Sequence, residues 1–189
     1  EELYRSEDVH ALAALYANEF TFFPEHTAGI FLEKDLSKFF KDWFAGGHVI
    51  SSNKQIFTVE AYDKHLLELG TFSLHYSSAK NSQGEYKGKY MVLWNKDSAG
   101  KLHIVAETFG AETYIEPDAV PYVDVLVEEN NFKALDNVNS QLISEVEAFD
   151  AVVLKAVATG DANARANGFT EDAILLSNFE PIIAGDRKD

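Results

Sequence analysis

The 189-residue sequence contains no cysteine, so disulfides, thiolate nucleophiles and cysteine-ligated metals are excluded, while the compartment stays undetermined. Basic residues are scarce: 16 Lys and Arg stand against 31 Asp and Glu, a formal net charge of −15. A surface that acidic repels phosphate backbones and anionic lipid, so neither nucleic acid nor a membrane is an expected partner. No apolar run approaches the ~18 residues of a membrane span. Gly-rich phosphate loops, nucleophile elbows and calcium-loop patterns are missing too. What is abundant is apolar. Hydrophobic residues make up 46% and aromatics 13%, ample for a packed core. The length predicts one domain, or one domain and a piece of another.

Periodicity divides the chain. Ser6-Glu7-Asp8 supplies a cap and an acidic first turn, and Ala11, Leu12, Leu15 and Tyr16 follow at helical spacing. Thr21-Phe22-Phe23 is a β-prone run ended by Pro24. A second helix is predicted over Lys34–Phe44, burying Leu36, Phe39, Phe40, Trp43 and Phe44, with Gly46-Gly47 as its C-cap. The period then becomes two over Lys54–Tyr62, His65–Ser78, Tyr86–Asn95 and Leu102–Tyr114, joined by turn residues such as Asn81-Ser82-Gln83-Gly84. Two helices followed by an antiparallel meander predict an α+β domain with the helices on one face. Beyond Tyr114, residues 115–138 read as a linker in which Tyr122–Val127 could add an edge strand. A helix is predicted over Asn139–Ala158, with Leu142, Ile143, Val146, Phe149, Val153 and Val157 as its apolar stripe.

A weak repeat links the two ends. Ser6-Glu7-Asp8 through Phe23 recurs in pattern as Thr159-Gly160-Asp161 through Leu176, at a constant offset of 153 from Asp8 to Asp161. The alternative is two unrelated Asp-capped helices. If the repeat is real, the chain opening on Glu1 and closing on Asp189 is expected to be cut through a repeat unit at both ends.

Four stretches carry a family resemblance: Ala14–Phe23, Phe40–Gly47, Gly88–Asn95 and Gly100–Phe109. With an aromatic ending one strand, a Gly turn, and an apolar strand holding an inner acid, the chain resembles the nuclear transport factor 2-like superfamily, especially its SnoaL-like and ketosteroid isomerase-like branch. The fold this implies is α+β, with helices packed in the concave face of a strongly curved, mainly antiparallel sheet: a cone with an internal cavity. On that template 1–114 is one domain lacking most of its first helix, and 139–189 is the truncated start of a second copy. Helix 139–158 would then complete the first domain in its own chain or by swapping into another.

The resemblance also implies which side chains face the cavity: Val105, Glu107 and Phe109; Tyr90, Val92 and Trp94; and Leu69, Thr71, Ser73 and His75. Glu107 among apolar neighbours would be desolvated, which favours its neutral form and suits an acid or base. His75 would assist it and Tyr90 would donate to a developing oxyanion; a structural Glu107–His75 pair is the alternative. Tyr16, Phe23, Phe40 and Trp43 complete the expected pocket with Val92, Trp94, Val105 and Phe109. None of the isomerase's own catalytic residues falls at its family position, where Pro24 and Tyr90 stand instead. Glu25-His26 and His48 match no standard metal spacing, and the acidic group Glu112, Glu116, Asp118, Asp124, Glu128 and Glu129 reads as solvated linker. No metal and no cofactor is expected.

The expected function is binding of a small, largely apolar organic ligand, with or without cofactor-free acid/base chemistry of the isomerase, lyase or cyclase type; whether the chain is an enzyme stays open. The alternative is a non-catalytic association domain that oligomerises. A homodimer is expected through the outer sheet face, argued from Phe72, Leu74 and Tyr76, or by the helix swap.

Overall fold

A computed structural model describes residues 2–78, 83–116, 119–120 and 140–185. The chain divides into two compact units, one of residues 1–128 with 176–182, the other of 129–175 with 183–189. The turn at Asn81-Ser82, the strand expected over Tyr122–Val127, and Asp118, Asp124, Glu128 and Glu129 lie outside the described residues.

In the first unit, α1 (Glu2–Arg5) and α2 (Val9–Ala13) precede β1 (Tyr16–Phe23), then α3 (Glu33–Gly46), β2 (Gly47–Tyr62), β3 (His65–Ser78), β4 (Gly84–Lys96) and β5 (Leu102–Ala111). The sheet order is β1-β5-β4-β3-β2. Strands β2 to β5 form an antiparallel meander, and β1 joins β5 in parallel. The result is the expected α+β architecture. Irregularities in β2 after Val49 and after Ile56, and one between β4 and β5 at Leu93/Trp94, add local twist and help the sheet curve.

Local chemistry explains the helices. Asp8 accepts the Ala11 amide at 2.9 Å and so caps α2. This helix is one short turn, and Tyr16 already belongs to β1. Helix α3 carries Glu33 and Asp35 in its first turn, where the dipole favours acids, and buries Leu36, Phe39, Phe40 and Trp43 at intervals of three or four residues. Its stop differs from the expected left-handed glycine cap. Gly47 is extended (φ −171°), and the chain passes straight into β2, which therefore starts seven residues before the predicted Lys54.

The core lies between the helices and one face of the sheet. Phe22 is 1% exposed, and its ring centre is 5.2 Å from that of Phe39 and 5.9 Å from that of Tyr16. Across the strands, Glu68, Val92, Glu107 and Phe22 form one continuous row of paired residues; Gly70, Tyr90 and Phe109 form the next. Paired residues share a face, so the inner positions of β3 are Glu68, Gly70, Phe72, Leu74 and Tyr76.

This reverses the expected parity of β3. Leu69, Thr71, Ser73 and His75 alternate onto the other face, and Leu74 and Tyr76 are buried at 7% and 1% exposure. The physical reason is that the inner face of this strand includes a glutamate and a glycine, while Leu69 on the opposite face is also buried. Apolar alternation is thus blurred on both sides. The outer patch of Phe72, Leu74 and Tyr76 that motivated a dimer does not exist.

In the second unit, α4 (Ser140–Thr159) is followed by α5 (Ala162–Ala166) and the two-residue strands β6 (Ile174–Leu175) and β7 (Ile183–Ala184). Most of the α4 stripe is exposed, including Leu142, Val146 and Val157. Local geometry recurs at the offset of 153. Asp161 accepts the Ala164 amide at 2.9 Å as Asp8 accepts that of Ala11. The bonds Asp8 N–Leu3 O, Leu12 N–Asp8 O and Ala14 N–His10 O recur as Asp161 N–Ala156 O, Arg165 N–Asp161 O and Asn167 N–Asn163 O. Positive φ at Glu7 (54°) and His26 (59°) recurs at Gly160 (66°) and Phe179 (62°). Even the bridge Phe22–Ile30 has its counterpart in Leu175–Ile183.

Candidate functional site

Within the first unit a cavity of about 160 Å³ opens between α1, α3 and the sheet, walled mainly by aromatic rings: Tyr4, Trp43, Phe72, Tyr86, Tyr90 and Phe109. Ser52, Asn53, Lys54, Ser73, Leu74 and Glu107 complete the lining. Two roomier hollows, of about 450 and 250 Å³, occur near β1 and near Pro24. Size does not single out the site; the aromatic walls of the smallest of the three and the Glu107 carboxyl among them do.

Glu107 projects from β5 in the row shared with Val92 and Phe22. It accepts a hydrogen bond from the Tyr16 hydroxyl at the start of β1. It keeps accessible surface as a lining group of the cavity, yet protein surrounds it. Burial pushes its carboxyl above the ordinary value; the Tyr16 bond and the Lys54 charge oppose that shift without cancelling it. Tyr16 and Tyr4 are held in their phenol forms, first by burial and then by the Glu107 charge.

A second carboxyl sits two strands across the sheet, in the same row as Glu107. Glu68 on β3 is 8% exposed. It receives the Tyr90 hydroxyl at 2.8 Å, the Trp94 indole N–H at 2.9 Å and the Lys54 ammonium at 2.8 Å. Burial works to raise its pKa, but those three donors outweigh it, and the net shift is downward. Lys54 also lies over the Tyr90 ring, 4.1 Å from its centre. Two carboxyls in one cross-strand row, with Val92 between them, are therefore driven in opposite directions: Glu68 towards its anion, Glu107 towards its acid.

Glu107, Tyr90, Trp43 and Phe109 line the cavity, and Tyr16 touches it through Glu107. Other expected residues are placed differently. His75 is on the outer face, its side chain 51% exposed, and lies 3.6 Å from Glu85, so it cannot assist Glu107. Tyr90 is not a free donor, because its hydroxyl is committed to Glu68. Phe23 is 45% exposed, packs on Phe31 and borders the hollow near Pro24; Phe22 takes the inward position. Phe40 and Val92 are core residues behind the lining, and Trp94 serves Glu68. Val105 falls at the β4–β5 irregularity, where Ile104 occupies the core position opposite Trp94.

Glu68, Lys54 and Tyr4 are the residues that sequence reasoning missed. The expected inward set Leu69, Thr71, Ser73 and His75 puts Glu68 on the outer face by alternation, although its partners Tyr90 and Trp94 both fall on the inner parity of β4. At the far end of the sheet Glu25 accepts the Tyr86 hydroxyl at 2.6 Å and the Ala111 amide at 3.0 Å, while His48 pairs with Glu7. Among the described residues no group of three or more His, Asp or Glu is arranged to hold a metal ion. No described helix is long and apolar enough to cross a membrane.

Two buried polar atoms of residues lining the cavity have no hydrogen-bond partner: Trp43 Nε1 and Ser52 Oγ. Trp43 as a residue is 9% exposed. An unpaired buried donor costs about 1–3 kcal/mol.

No protein-family model matches the sequence, and no curated protein sequence matches it. Solved structures do. A ketosteroid isomerase-like protein from Erwinia carotovora atroseptica superposes with a TM-score of 0.55 at 10% identity, covering 60% of this chain and 88% of that one. A protein of unknown function from Mycobacterium tuberculosis gives 0.52 at 12% identity, covering 66% and 74%. A conserved protein from Planctomyces limnophilus gives 0.50 at 11%, covering 57% and 83%. At such identities the likeness shows the fold alone: an α+β architecture shared with the ketosteroid isomerase-like protein.

Proposed function

We propose that the cone cavity binds a small, largely apolar organic molecule and that Glu107 exchanges a proton with it. The observation that supports this most is a protein-surrounded carboxyl, held towards its acid form by burial, at the wall of an otherwise aromatic cavity. A carboxyl whose burial favours its neutral form is suited to giving or taking a proton. The steps this chain's residues can take are limited. Glu107 gives or accepts the proton at its carboxyl. Tyr16 orients that carboxyl by donating to it, and the aromatic walls exclude water from the exchange. Glu68, pinned as an anion by Lys54, Tyr90 and Trp94, stabilises the site's electrostatics instead of titrating.

The cavity limits ligand size. At about 160 Å³ it matches a single ring with a short substituent and is too small for a fused multi-ring body in this conformation. Association through the outer sheet face has lost the residues that suggested it, so binding in the cone is the better reading. Hydrogen–deuterium exchange at the α-carbons of phenylacetone, a single ring with a short ketone substituent, in D₂O tests it. Wild-type protein should accelerate exchange, and Glu107→Gln should lose about 10²-fold or more of that acceleration. Saturable binding without any Glu107-dependent exchange would leave a binding module and remove the acid/base role. Absence of binding would remove both.

A further inference from the structure

We propose that residues 176–182 form a latch on the first unit, and that its seating is coupled to ligand binding in the cone through Ala111, Glu25 and Tyr86. The inference rests on the reading that the cone cavity binds a small organic molecule, and it adds a controlling element outside that cavity.

Residues 176–182 belong to the first unit, although the chain on both sides of them belongs to the second. They are held by the Phe179 amide, which donates to the Ala111 carbonyl at 3.2 Å, and by Lys89, which donates to the Glu180 carbonyl. The Phe179 ring also meets Tyr114 edge-on, with 5.2 Å between centres. Two costs oppose this seating. Phe179 adopts φ 62°, a left-handed conformation that a bulky side chain disfavours. Lys89, on the outer parity of β4, is 3% exposed, and its ammonium is met by the neutral carbonyls of Ala111, at 3.2 Å, and Glu180. Withdrawing that charge from water costs free energy. Opposed in this way, the seated segment has a released state within reach.

A run of hydrogen bonds joins the latch to the cavity wall. Ala111, whose carbonyl accepts from Phe179, donates its own amide to Glu25 at 3.0 Å. The same Glu25 oxygen receives the Tyr86 hydroxyl at 2.6 Å, and the Tyr86 ring lines the cone. Phe109 is shared between two spaces: it lines the cone and also the hollow bordered by Glu25, Asn178 and Phe179. With the latch seated, Glu25 and both rings are backed by it. Released, it takes that support away and the wall loosens, so a ligand packed on Tyr86 and Phe109 favours the seated form. A difference in affinity between two states is what couples two sites.

Calorimetric titration with phenylacetone tests the coupling. Phe179→Ala should weaken binding about fivefold or more. In the other direction, saturating phenylacetone should slow hydrogen exchange of the wild-type Phe179 amide, since linkage is reciprocal. Tyr86→Phe keeps the ring and cuts its bond to Glu25, so Phe179→Ala should weaken binding less in that background than in wild type. Equal affinity of wild type and Phe179→Ala, or a Phe179 amide indifferent to phenylacetone, would overturn the coupling and leave the cavity reading standing. An undiminished effect of Phe179→Ala in the Tyr86→Phe background would overturn the route through Glu25. Failure of phenylacetone to bind wild type would overturn the cavity reading as well. If circular dichroism shows Phe179→Ala unfolded, Tyr114→Ala takes its place in each comparison, and an unchanged phenylacetone affinity there counts against the proposal.

Discussion

Glu68 and Glu107 occupy the same cross-strand row, separated only by Val92, and their environments act on them with opposite sign. The consequences for stability differ accordingly. Glu68 has a lowered folded pKa, so its stabilisation is present above the ordinary carboxyl range and is lost as pH falls through the folded value. Glu107 has a raised folded pKa, so its contribution is full below the ordinary 4.5 and is lost as pH rises through the folded value. Glu107→Gln, which keeps an acceptor for Tyr16 and cannot ionise, is expected to gain stability relative to wild type as pH rises from about 4, levelling off above the folded pKa. Urea midpoints measured across that range check it; a difference independent of pH would show that Glu107 is not shifted. Removing Lys54 takes away a donor and a positive charge from Glu68. Lys54→Met should therefore move the Glu68 titration upward, read from its side-chain carbon shifts by NMR.

At the scale of elements, β3 passes so close to its neighbours that Gly70 has no room for a side chain. A Cβ there would collide with the Gln55 carbonyl oxygen and the Tyr90 hydroxyl. Gly70→Ala is expected to cost about 1–3 kcal/mol and to displace Tyr90 from Glu68, detectable as an upward shift of the Glu68 carboxyl. Unchanged stability would mean that β2 yields locally. The caps offer a matched pair: Asp8→Ala should cost about 1 kcal/mol through the lost bond to the Ala11 amide. Helices and strands were legible in the sequence because their signals are local: the acid at a cap, the spacing of Leu36, Phe39, Phe40 and Trp43, the change to period two. The parity of β3 was not. Its inward set includes Glu68 and Gly70, whose places depend on Tyr90, Trp94 and Gln55, residues on other strands.

At the scale of the molecule, the first unit holds both tryptophans, Trp43 and Trp94, and its aromatic core. Helix α4 in the second unit leaves Val146, Leu154 and Val157 between 51% and 68% exposed. Replacing these three with Gln should move the unfolding midpoint seen by tryptophan fluorescence by no more than about 0.5 kcal/mol per site. A larger destabilisation would show that the stripe is covered in solution. The recurrence at an offset of 153 extends from an Asp cap to backbone bonds, positive φ positions and one strand bridge.

The sequence by itself determined the α+β class, the charge and the chemistry it excludes, the order of helices and strands, and Glu107 as the carboxyl of interest. All but the last follow from periodicity, capping and composition, which act over a few residues; Glu107 stands out through the family resemblance. Only the tertiary structure decided Glu107's partner. Tyr16 arrives on a parallel strand 91 residues away, while His75, which alternation alone permitted, points from the opposite face. It also decided that Tyr90 serves Glu68 and that Trp43 and Ser52 keep unspent hydrogen-bonding groups. Those assignments depend on strand register and on where the ladder slips, and a single residue of slip exchanges the two faces of a strand.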